Sequence, residues 1–88
     1  MTEVRVTVPN RLGIHARPAA LLVKRAAEFT SEIDIVFGGD RVNAKSIMGV
    51  MTLAAGKGSE LLIEADGPDE EEAAEALAAI VRDGFGED

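Results

Sequence analysis

Ile33-Asp34-Ile35-Val36-Phe37-Gly38-Gly39-Asp40-Arg41-Val42-Asn43-Ala44 reads as two strands joined by a turn. Ile33, Ile35 and Phe37 alternate with Asp34 and Val36, the period of a strand with one buried face. Gly38-Gly39-Asp40 supplies the hairpin turn, because glycine reaches at little cost the positive φ that such turns require. Arg41 to Ala44 is the short return strand. A phosphate-binding loop is the sharper reading of Gly38-Gly39, but two glycines between strands are far more often a turn. The same period recurs at both ends of the chain. Val4, Val6 and Val8 alternate with Arg5 and Thr7 until Pro9 ends the run, and Leu61, Ile63 and Ala65 alternate with Leu62 and Glu64. Strands with one apolar and one polar face imply an antiparallel sheet open to solvent on one side, with helices covering the other.

Two helical segments lie between these strands and a third follows the last of them. The spacing of Ala19, Leu22, Val23, Ala26 and Phe29 predicts a first helix from about Ala16 to about Phe29, with Thr30 and Ser31 closing it. Ala16, Ala20 and Lys24 lie along its second face, small and mildly basic, which would let another protein approach closely. Ser46 is a good N-cap for a short helix from Ile47 to about Leu53. That helix is apolar nearly all round. If Val50 and Leu53 face the core, Met48 and Met51 point elsewhere, and an exposed pair of flexible thioethers suits a protein-binding patch. The last helix follows Gly67-Pro68, with Asp69 and Glu72 at capping-box-like spacing and Ala73, Ala76, Leu77, Ile80 and Val81 as its core stripe. Gly84 to Asp88 reads as a C-cap and a frayed tail. The resulting fold class is α+β, a four-stranded antiparallel sheet with three helices on one face in the order βαββαβα. The chain, residues 1–88, is expected to form one domain, with no repeat, low-complexity block or linker.

Composition narrows the function. Eighty-eight residues leave little room for a deep substrate cleft. The absence of cysteine removes disulfides, thiolate nucleophiles and Cys-based zinc sites. Residues 1–58 carry eight Lys/Arg against five Asp/Glu, about +3, whereas 59–88 carry one against eleven, about -10. Nucleic-acid binding is disfavoured, since the net charge of -7 is of the wrong sign and no aromatic interleaves with a basic stripe. No signal peptide opens the chain and no apolar run is long enough to span a bilayer, so a cytoplasmic protein with no membrane insertion is expected. Glu70, Glu71 and Glu72 resemble metal ligands only superficially; acidic residues in a first helical turn answer to the helix dipole, and no metal or cofactor is expected. Ala55-Gly56-Lys57-Gly58-Ser59 lacks the first glycine of a P-loop, because Met51 stands there.

The chemistry gathers at Gly13-Ile14-His15-Ala16-Arg17-Pro18, which holds the only histidine. Pro18 fits a first helical turn, where the missing N–H costs nothing, so His15 should stand at a helix entrance. Imidazole is neutral and nucleophilic near neutral pH. The positive end of the helix favours a phosphoryl dianion beside it, and Arg17 can donate charge-assisted hydrogen bonds to its oxygens. A Ser46-His15-carboxylate triad fails on context, because Ser46 lacks an elbow motif and no carboxylate is evidently placed to orient the ring. A small acylphosphatase-like hydrolase would need an arginine-asparagine anion loop, and no convincing one is present. With one nucleophile and no pocket, the chain reads as a carrier acted on by larger enzymes.

Gly13-Ile14-His15-Ala16-Arg17-Pro18-Ala19, together with Asn43-Ala44-Lys45-Ser46-Ile47-Met48-Gly49-Val50-Met51, closely resembles the HPr phosphocarrier family of the bacterial phosphoenolpyruvate-dependent sugar phosphotransferase system. The likeness covers essentially the whole chain. It implies an open-faced β-sandwich and a non-enzyme in which His15 takes a phosphoryl group on Nδ1 from phosphorylated enzyme I and passes it to enzyme IIA. Phosphoenolpyruvate would be the original donor. By the same resemblance Arg17 stabilises the phosphohistidine, and Ser46 is a regulatory site for an HPr kinase/phosphorylase. Ala16, Ala20, Lys24, Lys45, Ile47, Met48 and Met51 are the expected docking face of a monomer. Gly49 stands where some relatives carry lysine, which lowers the positive charge of that face. Paralogues serving nitrogen-related signalling share the histidine motif, so a regulatory, interaction-only paralogue is the alternative.

Overall fold

A computed structural model describes residues 1–86. Its elements are β1 (Thr2–Thr7), α1 (Ala16–Ala26), β2 (Glu32–Phe37), β3 (Asp40–Asn43), α2 (Ile47–Thr52), β4 (Glu60–Asp66) and α3 (Glu70–Arg82), followed by a single turn at Gly84–Gly86. All strand pairs are antiparallel and the sheet order is β1-β4-β2-β3. This is the open-faced sandwich with βαββαβα order that the alternating strands imply. The hairpin is one residue tighter than expected. Phe37 pairs with Asp40, so Gly38-Gly39 alone makes the loop, with Gly38 at φ +61.

Val6, Val8, Ile33, Ile35, Leu61 and Ile63 pack from the sheet against Leu22, Val50, Leu77 and Val81 from the helices, all nearly free of solvent. On the opposite face Arg41 pairs with Glu64 and, at 3.2 Å, with Asp34, tying β2, β3 and β4 together through their side chains. Glu64 is only 7% exposed, and its bond from Arg41 holds its carboxyl below the usual range.

Two helices differ from their expected form. The α-helical part of α1 stops at Ala26, and the chain tightens through Glu28 N to Arg25 O and Phe29 N to Ala26 O, the spacing of a 3₁₀ turn. Val23, inside α1, and Phe29, beyond it, are half-buried against the core rather than part of it. In α3 the buried stripe is Ala73, Ala74, Leu77, Ala78 and Val81. Ala74 and Ala78 replace the expected Ala76 and Ile80 because α3 lies close on β1 and β4, where small side chains fit.

The entrance to α3 also corrects the capping-box reading. Asp69 occupies the N-cap position but makes no side-chain cap bond. Its carboxylate instead accepts the Thr30 and Ser31 amides, each at 2.9 Å, and the Ser31 hydroxyl. The Ser31 hydroxyl first, and then the Thr30 amide, pull the Asp69 carboxyl down to about 2. Thr30 and Ser31 therefore anchor the start of β2 to α3 rather than closing α1. Glu70, not Glu72, folds back, accepting from Gly67 N at 3.2 Å, the Thr2 hydroxyl at 2.7 Å and the Met1 amine at 3.0 Å. Nor does the chain fray directly after α3. Gly84 and Phe85 are buried, Phe85 in a left-handed conformation at φ +59. The expected tail at Glu87 and Asp88 lies outside the described residues.

Candidate functional site

The loop between β1 and α1 is hung from the loop after α2. Val8 N donates to Ser59 O at 2.9 Å and Gly58 N returns a bond to Val8 O at 2.8 Å, carrying sheet-like pairing beyond Thr7. The chain then turns on itself, with Gly13 N donating to Asn10 O at 3.2 Å and the Asn10 side-chain amide donating to Gly13 O at 2.8 Å. Ile14 N reaches Ala55 O at 2.9 Å. Gly13 is required here: it has φ +68, and a Cβ would fall 2.3 Å from the Ala55 carbonyl oxygen.

This suspension delivers His15 to the N-cap position of α1 with extended backbone, φ -98 and ψ -165, its carbonyl accepting the first helical bond from Ala19 N at 3.0 Å. The imidazole does not cap the helix, and it is half-buried. No acidic side chain occupies the first turn of α1, so nothing there cancels the positive end of the dipole. Ala16 and Arg17 are exposed while Pro18 is buried beneath them. The Arg17 guanidinium donates from Nη2 to the Phe85 carbonyl at 2.7 Å. The arrangement is a nucleophile at a helix entrance with a guanidinium two residues on, and it suits reversible attachment of an anion.

Ser46 stands at the N-cap of α2, its hydroxyl accepting Gly49 N at 3.2 Å. Met48 is 72% exposed, with Met51 and Ile47 less so, while Val50 and Leu53 are buried. α1 packs against α2, and Ala16, Ala20 and Lys24 of α1 are likewise exposed. Lys45 differs from the rest of the expected docking face. Its ammonium donates to Phe29 O at 2.8 Å and so is committed to the end of α1.

Sequence reasoning passed over four residues around His15. Asn10 and Ala55 set its loop, Phe85 receives Arg17, and Leu12, 66% exposed, adds apolar surface three residues from the ring. Only Asn10 carries a local signal, the tendency of Asn to bond its own backbone in a turn. Among the described residues no group of three or more His, Asp or Glu is placed to hold a metal ion, and no helix is long and apolar enough to cross a membrane.

Residues 2–83 match a protein-family model, PTS-HPr, described as the PTS HPr component phosphorylation site. The phosphocarrier protein HPr of Treponema pallidum is 53% identical over 88 residues, the whole of both chains. The HPr-like protein Crh of Halalkalibacterium halodurans is 53% identical over 81 residues, 92% of this chain and 96% of its own. A crystal structure of HPr-C-His from Thermoanaerobacter tengcongensis superposes with TM-score 0.95 at 45% identity, covering 100% of this chain and 99% of that one. A structure of an HPr dimer from the same organism matches with TM-score 0.79 at 46% identity, covering 99% of this chain and 100% of that one. By sequence and by fold, the chain belongs to the HPr family of the phosphotransferase system, whose members carry phosphoryl groups and are not enzymes.

Proposed function

We propose that His15 is the carrier residue of this chain, taking a phosphoryl group on Nδ1 from phosphorylated enzyme I and handing it to enzyme IIA components in sugar uptake. The observation that carries this reading is the place of His15, an N-cap residue whose imidazole leaves the helix end uncapped. In the transfer, the Nδ1 lone pair forms an N–P bond as the bond from phosphorus to the donor breaks; the reverse exchange delivers the group onward. The positive end of α1 and the Arg17 guanidinium offset the dianion. Partners dock on Ala16, Ala20, Lys24, Ile47, Met48 and Met51, with Lys45 contributing its stem rather than its ammonium.

Ser46 is the regulatory position, phosphorylated by an HPr kinase/phosphorylase. Phosphoserine at an N-cap is tolerated by the dipole, but its added charge of about -1.5 to -2 beside Met48 repels an acidic partner. The chain acts as one cytoplasmic domain over residues 1–88 and as a monomer; sedimentation at micromolar concentration tests the last point. The likeness to an HPr-like protein, Crh, favours a second reading, a regulatory or nitrogen-related paralogue of the phosphotransferase system acting mainly by protein–protein interaction. Possession of His15 weighs against it, since a binding-only module has no use for a nucleophile.

Intact mass after incubation with phosphoenolpyruvate and enzyme I decides between them. One added phosphoryl group, lost in acid, kept in alkali and absent from His15→Ala, establishes the carrier. No addition by an enzyme I that charges a known HPr would sink that reading in favour of the regulatory one.

A further inference from the structure

The loop before α1 and the loop after α2 run side by side, stapled at both ends. Val8 pairs with Gly58 and Ser59 at one end, and Ile14 N reaches Ala55 O at the other. Between these staples lie residues 9–13 of the first chain and Gly56 and Lys57 of the second, so both tips rise between the same anchor points. Each tip is a closed turn. Gly13 N donates to Asn10 O at 3.2 Å, and the Asn10 side chain braces the same turn. Ser59 N donates to Gly56 O at 3.1 Å, with Gly58 supplying a positive φ of +89. Arg11, Leu12 and Lys57, at the tips, are all exposed.

The charge on these tips is uncompensated. Residues 4–27 and 41–59 hold eight Lys/Arg and not one Asp or Glu. Among the described residues, Arg5 pairs with Glu60, Arg25 with Glu28 and Arg41 with Asp34 and Glu64, while Arg17 and Lys45 bond backbone carbonyls. Of the three cations that do neither, Lys24 lies on α1, and Arg11 and Lys57 stand on the two tips.

We propose that the two turns form a docking platform for enzyme I beyond α1 and α2: Arg11 and Lys57 meet carboxylates of its surface, and Leu12 meets an apolar patch among them. The assignment rests on His15 being the phosphoryl carrier. The staples fix the platform to Ile14, the residue before the histidine, so a protein that brings phosphorus to His15 comes down beside it. The donor is the occupant because it meets the histidine unmodified, the state described here, with both cations open to it. An acceptor meets a carrier whose new dianion already draws on the nearby positive charge. Turns closed by their own hydrogen bonds lose little freedom on docking. The acid concentrated in residues 59–88 repels an acidic partner elsewhere on the molecule and turns it towards this rim.

Arg11→Ser combined with Lys57→Ser, and Leu12→Ser separately, test the platform in the full chain. These side chains are exposed, so both variants should melt with the wild type, and their reaction with phosphoramidate, which needs no protein, should match it. With enzyme I the double variant should show a KM raised about tenfold at unchanged kcat, and a shallower loss of rate between about 0.05 and 0.5 M salt. Leu12→Ser should raise KM with the salt dependence intact. An unchanged KM in the double variant overturns the assignment, as does a rise confined to the onward transfer to enzyme IIA, which would make the acceptor the occupant. If enzyme I adds no phosphoryl group to the wild type, the carrier reading falls by itself. Calorimetric binding of enzyme I then decides the platform: a Kd weakened about tenfold in the double variant sustains it, and an equal Kd overturns it.

Discussion

The Ile14 amide donates to the Ala55 carbonyl at 2.9 Å, so the residue before the histidine is fixed to the loop that leaves α2. Gly13 makes that approach possible, having no Cβ to strike the same carbonyl. Gly13→Ala combines a left-handed backbone penalty with this clash and is expected to cost about 2 kcal/mol or more. Urea denaturation measures the loss, and a slower phosphorylation of His15 should accompany it. A midpoint equal to the wild type's would mean that the two loops are not tied in this way.

Ser46 serves its helix through one bond to Gly49 N. Ser46→Ala removes it at about 1 kcal/mol, whereas Ser46→Asp keeps an N-cap acceptor and stays within about 0.5 kcal/mol of the wild type. Ser46→Asp should nevertheless slow phosphoryl transfer to His15. Thermal melts combined with transfer kinetics separate the two effects, and equal transfer rates would remove the regulatory role of charge at this position.

The Asp69 carboxyl titrates near 2 in the folded protein against an ordinary 3.8, and Glu70 near 2 against 4.5. Both folded values are depressed, so the stability they confer is fully present above about pH 5 and disappears as the pH falls towards 2. Urea midpoints from pH 6 to pH 2 should fall for the wild type and fall less for Asp69→Asn combined with Glu70→Gln. Parallel curves would show that these carboxylates do not drive the acid sensitivity.

Ala54, exposed and at φ +53, follows α2 in the left-handed conformation where glycine is usual. Ala54→Gly relieves that strain, less the added freedom of the unfolded chain, for a gain of about 0.5–1 kcal/mol. A rise in Tm of a few degrees is the expected readout.

Met48 touches solvent more than any other apolar side chain of α2. Met48→Asp should leave the melting temperature unchanged while raising the KM of enzyme I for this carrier. An unchanged KM would move the docking surface elsewhere.

Residues whose partners are near in sequence could be read without the structure. Ser46 caps through a residue three positions on, and the alternation of β2 and β4 follows from the strand's own period. Asp69 could not be read in this way, because the Thr30 and Ser31 amides that engage it come from 39 and 38 residues away. Arg17 and Phe85 are 68 residues apart, so no spacing rule joins them, and Phe85 passed for part of a frayed end. In α3 the cause was compositional. Alanine is apolar but small enough for either face, and close packing on β1 and β4 chose Ala74 and Ala78. The histidine, the arginine and the serine stood out because each begins or nearly begins a helix.

The interleaved strand order has a consequence in time. β1 lies against β4, and β4 also separates β1 from β2, so only the β2-β3 hairpin pairs strands adjacent in the chain. Loop closure over such separations is slow, which places folding nearer the millisecond-to-second range than the microseconds of local helical bundles. During synthesis from the N-terminus, His15 leaves the ribosome well before Ala55 and Ser59, which fix its loop, and before Phe85, which receives its arginine. The histidine is thus among the first functional groups to be made and among the last to be set in place.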